Sequence, residues 1–274
     1  MILSQLTIVS PEGPSVTLGS WTTDSSGNAH GLYAITSIKM DPAPTVALVK
    51  KLPLFNGAVI ASGLKDSRKV SITGTVFAGS QDEANTMLRN LQIACDTSLN
   101  NGLTALQFTP VSTLPQMQLL GIVTQLTVDT PVGSTCGFSI NFEAGLPYPT
   151  SVVSSVVSSP TNANATVTVV GDDIVYPKVS LSVAAGLTSL NVQIVGQLNT
   201  TIHLTGLVIN TTSTIVIDST PGYESVTING VGIRGVKTLA STWLSMYTGS
   251  NTVSVGSVGT INSYSVTWNE AWKI

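Results

Sequence analysis

Between Lys69 and Phe77 the chain reads Lys-Val-Ser-Ile-Thr-Gly-Thr-Val-Phe, and the apolar positions 70, 72 and 76 fall on one side of an extended backbone. Side chains alternate across a strand, so such a run buries one face and wets the other. The same period of two recurs at Val179, Leu181 and Val183, at Val253 and Val255, and at Tyr264, Val266 and Trp268. Gly171-Asp172-Asp173 and Asn229-Gly230 punctuate these runs, and Asn-Gly is a strong signal for a two-residue hairpin. A chain rich in Ser, Thr and Val and patterned this way is predicted to be mainly antiparallel β.

One segment breaks the period. Ser80-Gln81-Asp82-Glu83 fits a capping box, and Ala84, Met87, Leu88, Leu91 and Cys95 follow at helical spacing on one face. Arg89, Asn90 and Gln92 would face outward, and the helix should end near 97–101, where Ser, Asn and Gly accumulate. A shorter helical turn is predicted around Val236 to Trp243, after Gly235.

The strand pattern at 137–142 runs into Pro147-Tyr148-Pro149, and prolines cannot continue a central ladder. This predicts two domains, residues 1–149 and 150–274, the first carrying the helix and the second wholly β at a length suited to a sandwich. The Ser/Val-rich stretch 151–159 reads as a linker or an edge strand.

Charge narrows the function. Only 9% of the residues are charged, and mean hydropathy is +0.35, yet no apolar run approaches the roughly 18 residues of a membrane helix. The apolar surplus must enter cores or contacts with other chains. Net charge is −3 with no block of like sign, which argues against holding a nucleic-acid backbone. Two cysteines, Cys95 and Cys136, make no disulfide framework, and the N-terminus lacks the pattern of a secretory signal. Both features suit a protein made in a reducing cytoplasm.

The chemistry-bearing residues do not assemble into a predicted active site. His30 and His203 lack a nucleophile-elbow motif, and Asp172-Asp173 sits beside Gly171 as a turn would. Two cysteines and two histidines, all far apart, give no zinc spacing, and Gly230, Gly232 and Gly235 lack the Lys-Ser/Thr of a phosphate loop. No catalytic, cofactor-binding or metal residue is therefore assigned, and the expectation is a protein that is not an enzyme. Trp243 and Trp268 are expected in the second core and Trp272 at the closing C-terminus. Trp21, in a polar loop, is the aromatic expected to contact another surface.

Several segments, taken in order, resemble the distal tail protein (Dit) family of long non-contractile-tailed bacteriophages. They are Lys51-Leu52-Pro53-Leu54-Phe55-Asn56-Gly57 through Gly63 to Arg68 and Val70-Ser71-Ile72-Thr73-Gly74, then the helix 81–96 and the strand 103–108. Ile140-Asn141-Phe142-Glu143-Ala144 with Pro147-Tyr148 matches the usual end of that family's first domain. Thr214 to Ser219, Val226 to Gly230, then Trp243-Leu244, Gly249, Asn251 and Val253 match its second. The N-terminal 45 residues match only loosely.

The resemblance implies a tail-tube-like first domain and a galectin-like or carbohydrate-module-like second one. It implies a homohexameric ring at the distal end of a virion tail, joining the tail tube protein to the baseplate hub or tail-associated protein. DNA passes through such a ring without being bound, nothing inserts into a membrane, and the second domain offers a docking platform for receptor-binding proteins or tail fibres. The alternative is a free-standing carbohydrate-binding β-sandwich protein. Within the implied ring, six of the seven basic residues of the first half, Lys39, Lys50, Lys51, Lys65, Arg68 and Lys69, gather in one segment. A ring built head to tail needs two different complementary patches per subunit. The segment from Lys39 to Lys69, with its Pro-bearing loop Asp41-Pro42-Ala43-Pro44, is expected to supply one patch and reach over a neighbour, with Lys50, Lys51 and Arg68 pairing across the contact.

Overall fold

In a computed structural model of the chain, the described residues are 5–11, 13–23, 29–41, 44–51, 58–96, 103–110, 113–146, 148–160, 163–233 and 235–273. They fall into two compact units, Met1–Val152 and Val153–Ile274.

The first unit carries strands β1 (Leu6–Val9), β2 (Val16–Leu18), β3 (Trp21–Thr23), β4 (Ala29–Met40), β5 (Thr45–Lys51), β6 (Ala58–Lys65) and β7 (Arg68–Phe77), then helix α1 (Gln81–Cys95). Strands β8 (Thr104–Phe108), β9 (Met117–Val128), β10 (Thr135–Ala144) and β11 (Thr150–Ser151) complete it. Nine of these strands make one sheet in the order β2-β1-β8-β9-β10-β7-β4-β3, with β11 also on β9. Its two ends meet in one stretch of chain. Residues 16–18 pair with β1, Gly19 turns at φ 81°, and residues 21–23 pair with β4, while the Gly19 amide donates to the Tyr33 carbonyl at 2.7 Å. Switching partners mid-strand removes most of the open edge that a flat sheet would expose.

The predicted helix forms where its period lies. Ser80 Oγ accepts the Glu83 amide at 3.2 Å, and the Glu83 carboxylate accepts the Gly79 amide at 2.7 Å. Ala84, Met87, Leu88, Leu91, Ala94 and Cys95 are buried, and Arg89 and Gln92 are exposed. The helix stops at Cys95, and residues 97–101, where its end was expected, lie outside the described part. A methyl on Gly31 would meet Met87 Sδ, so a larger residue there would push the Met87 side chain aside.

β4 and β7 form the longest hairpin. Their register runs from Ser37 opposite Thr73 to Met40 opposite Val70, continues with the Asp41 amide on the Lys69 carbonyl, and passes unchanged into Thr45 opposite Lys65. The outer part, β5 with β6, is a two-stranded sheet of its own. β10 stops at Ala144 opposite Arg68, so the sheet ends where this arm begins. Of the expected Pro-bearing loop Asp41–Pro44, Pro42 and Ala43 lie outside the described residues; beyond it, within the same segment, β5 and β6 pair as an arm.

The second unit holds β12 (Ser155–Pro160), β13 (Ala165–Val169), β14 (Lys178–Val183), β15 (Ser189–Val195), β16 (Thr200–Thr205), β17 (Ser213–Asp218), β18 (Ser225–Ile228), β19 (Val231–Gly232), β20 (Gly249–Val258) and β21 (Ile261–Trp268). They make sheets of order β12-β21-β14-β17-β18-β19 and β13-β20-β15-β16. One apolar core joins the two, with Leu181, Val192, Ile202, Ile217, Leu244, Val255, Tyr264 and Trp268 buried in it. The Ser/Val stretch supplies the edge strand β12. Asn229 (φ 49°) and Gly230 (φ 80°) form the predicted hairpin turn between β18 and β19.

Residues 236–243 are not helical, against the sequence expectation. They form a strap along the outer edge of β16: the Thr205 amide donates to Val236 O, Thr238 N to His203 O and Thr242 N to Thr201 O. Lys237 Nζ stands 5.2 Å from the Trp243 ring centroid and donates to Ser241 O at 2.8 Å. Edge hydrogen bonds to β16 outweigh a weak local helical preference.

Candidate interaction surfaces

The sequence-predicted interface residues divide between the root of the arm and the far end of the same hairpin. At the root, Arg68 is 5% exposed, and its Nε donates to the Asp41 carbonyl at 3.2 Å. Burial pulls the guanidinium below its usual range, opposed by the nearby Tyr148. This placement corrects the expectation of a surface cation. Arg68 faces the interior because it opposes Ala144 and lies two residues from Val70 on the core face of β7.

Asp41 is exposed and pairs with Lys39 at 3.3 Å, an ion pair of small worth at that exposure. Pro44 is exposed and its carbonyl accepts the Asp66 amide at 2.9 Å; Ser67 Oγ donates to the Glu143 carboxylate at 2.5 Å. Pro42 lies outside the described residues, as do the side chains of Lys50 and Lys51, whose backbones close β5. The structure thus brings Asp41, Pro44 and Arg68 together at the base, with Lys50 and Lys51 at the outer end of the arm.

Trp21 is not in a loop but opens β3, and it is 59% exposed. It stands opposite Leu32, which stands opposite Phe77, which stands opposite Thr135. Directly opposed residues share a face. Tyr33 and Val76, their neighbours in sequence, point into the core, so this row points out. Phe77 is 44% exposed, and Val132, whose carbonyl accepts the Thr135 hydroxyl at 3.0 Å, is 77% exposed. Three of the four exposed large hydrophobic residues of the first unit, among those described, are therefore in one row. No periodicity in the sequence could have found it, because its members come from three strands and the segment that leads into β10.

The outward face of the second unit's larger sheet is a hydroxyl array. Ser158, Ser265 and Ser180 stand side by side on β12, β21 and β14, and Ser263, Ser182 and Thr214 form the next row. They line a shallow depression of about 270 Å³ without a charged group. All five carboxylates of this unit, Asp172, Asp173, Asp218, Glu224 and Glu270, lie at or beyond strand ends. Glu270 accepts the Val170 and Gly171 amides at 3.0 and 2.8 Å and the Trp268 indole at 2.8 Å. Asp172 takes the Lys273 amide at 2.5 Å, and Asp173 pairs with Lys273 Nζ at 3.4 Å. As expected for a turn, the Asp172-Asp173 pair ties a loop rather than flanking a cleft.

Among the described residues no group of three His, Cys, Asp or Glu could hold a metal. Burial pushes the Cys95 thiol up to about 12 and raises Cys136 as well, which keeps both protonated and poor as nucleophiles. No described helix is long and apolar enough to cross a membrane.

Residues 170–272 match the family model of the siphovirus-type tail component, C-terminal domain. No curated protein matches the chain by sequence. Among solved structures, the crystal structure of SPP1 Dit, described as a paradigm of the hub adsorption apparatus in phages that infect Gram-positive hosts, aligns with a TM-score of 0.62 at 14% identity over 97% of this chain and 98% of that one. Chains in the phage P2 baseplate in its activated conformation, with Ca and with Sr, align with TM-scores of 0.52 and 0.53 at 8% identity over 98% of each chain. The second unit thus resembles the C-terminal domain of siphovirus-type tail components in sequence, and nearly the whole chain shares the fold of SPP1 Dit.

Proposed function

We propose that the chain is a virion structural protein that forms a homohexameric ring at the distal end of a phage tail. The first unit builds the ring, which joins the tail tube to the baseplate hub, and the second unit is the platform for receptor-binding proteins or fibres. The observation that carries this reading is the β5–β6 arm. It continues the β4–β7 ladder past the end of the sheet as a sheet that has two strands among the described residues. A lone two-stranded hairpin is marginal in water, so an arm of this length calls for cover from another chain. Lys50 and Lys51 sit at its outer end as the proposed cross-subunit residues, and Arg68 and Asp41 anchor its base.

The two compact units fit the same picture, Met1–Val152 for the ring and Val153–Ile274 for the sandwich, with Thr150–Ser151 still paired to β9 of the first. Low charge and a surplus of apolar residues suit a subunit covered on several sides, and a net charge of −3 would not retain passing DNA.

Negative-stain microscopy and mass measurement of the full-length protein test the proposal. Six-membered rings with a central channel are expected, and replacing residues 45–65 by a short turn should leave folded monomers. Monomers of the unaltered protein at all concentrations would overturn the ring and favour the free-standing sugar-binding alternative.

A further inference from the structure

We propose that the outer edge of β13 accepts an extended, uncharged segment of a partner protein as an added strand. The proposal rests on the platform reading of the second unit and deepens it, naming the edge that is used and the kind of segment that fits.

The sheet β13-β20-β15-β16 has two edges, and they differ. On β16 the strap covers the edge, and hydroxyls complete what its backbone does not reach: the His203 amide donates to Ser241 Oγ at 2.8 Å and the Thr201 amide to Thr242 Oγ1 at 3.2 Å. On β13 the ladder to β20 uses one side of the backbone, and in an antiparallel pair every second residue points its N–H and C=O away from the partner. Among the described residues no strand or strap takes these groups at 166–169. The larger sheet offers less: β19 is two residues long, and β12 ends on Pro160, which has no N–H to give. A row of free N–H and C=O groups on a regular strand is a template for another strand, and folds that do not use such an edge blunt it with charge, proline or a cover. Among the described residues β13 has none of the three.

The edge also sets what can dock. No charged residue occurs between Glu143 and Asp172 or between Lys237 and Glu270, so β13 and its neighbour β20 carry no charge. A lysine or glutamate in the added strand would find no counter-charge on either. Ala165, Val167 and Val169 are buried, while Thr166 and Thr168 are exposed. An added strand therefore sets one row of side chains beside Thr166 and Thr168 at the surface and the other beside Val167 and Val169 at the margin of the core. The segment that fits is free of proline, uncharged along the five residues of β13, and alternates hydroxyl with apolar side chains. Backbone bonds give the affinity in this mode, and the alternating side chains give the specificity. A second copy's β13 would pair about a two-fold axis, which joins platforms to one another and leaves none to carry another protein.

The chain ends near this edge, since the Lys273 amide donates to the Asp172 carboxylate just past β13. A tail added to the full-length protein after Ile274, a Gly/Ser linker followed by a copy of residues 249–255 of β20, can therefore lie antiparallel along the outer side of β13. Held at about millimolar effective concentration, the tail should slow amide exchange within 165–169 by roughly tenfold and leave 201–205 unchanged. The same tail with two prolines in the copied strand should slow nothing. No slowing by the first tail, or equal slowing by both, overturns the edge and leaves the platform reading standing. In phage tails whose copies of the chain carry a benzophenone amino acid at Thr168, or in a second set at Thr166, irradiation should link that position to an uncharged extended segment of another tail-tip protein. Links to 165–169 of a second copy overturn the choice of occupant, and links from neither position overturn the docking. Tails that lack this chain overturn the platform reading, whatever the exchange result.

Discussion

Tyr33 donates its phenol to the backbone carbonyl of Met87 at 2.8 Å, inside the first unit and across 54 positions of sequence. The bond pins the middle of α1 to β4, two residues from Gly31, over which the Met87 side chain packs. Burial raises the Tyr33 hydroxyl to about 12. Tyr33→Phe should cost about 0.5–1.5 kcal/mol, since the carbonyl keeps its place in the helix and only the net bond is lost. An unfolded tyrosine ionises near 10, so the stability tied to this buried neutral phenol is complete below about pH 10 and is lost as pH rises toward about 12. Cys95, raised from 9.0 to about 12, begins the same loss near pH 9. Thermal melts from pH 8 to 11 should show the unaltered protein falling faster than Tyr33→Phe or Cys95→Ala; parallel curves would refute these assignments.

Leu91 is completely buried on the helix face that meets the sheet. Leu91→Ala should destabilise the first unit by about 2–5 kcal/mol, as large-to-small changes in packed cores do. Denaturant unfolding followed by near-ultraviolet circular dichroism reads this directly, and Gln92→Ala, exposed on the same helix, should stay within about 0.5 kcal/mol.

The elements written in local period were legible. Alternation at 70, 72 and 76 and at 179, 181 and 183 placed two core strands, and Ser80 with Glu83 marked the start of the single helix. What escaped depends on residues distant in sequence. The partner switch at Gly19 is dictated by where β1 and β4 lie, not by any pattern in residues 16–23. Arg68 looked like one more cation in a basic segment until its register opposite Ala144 turned it inward. Trp21 looked solitary because Leu32, Phe77 and Val132 join it only through cross-strand pairing. The strap at 236–243 misled because its backbone bonds to the edge of β16, and Leu239, which would have joined a helical stripe, is left exposed.

Glu270 closes the second unit by gathering three donors, two backbone amides and the Trp268 indole, onto one buried carboxylate. Glu270→Ala should cost about 1–3 kcal/mol for each donor left without a partner. Glu270→Gln keeps one acceptor oxygen and should cost less. Calorimetry of the full chain should show the loss in one unit's transition only; equal losses for both variants would mean that Glu270 acts by packing alone.

Arg68 sits where the sheet ends and the arm begins, with its guanidinium on the Asp41 carbonyl directly before the residues that lead into β5. If it is the anchor of the arm, Arg68→Ala should leave the sheet intact and loosen what lies beyond it. A hydrogen bond from a charged donor is worth about 1.5–3 kcal/mol, so local opening should become roughly ten- to a hundredfold more frequent. Hydrogen exchange on a monomeric sample should then quicken by that factor at 45–51 and 58–65 while residues 70–76 and 136–142 keep their protection. Arg68→Lys retains the charge without the planar fork and should fall between the two. Uniform acceleration across β7 and β10 would show instead that Arg68 supports the sheet itself, and unchanged exchange in the arm would show that its root is held by the Asp66–Pro44 and Asp41–Lys69 backbone bonds alone.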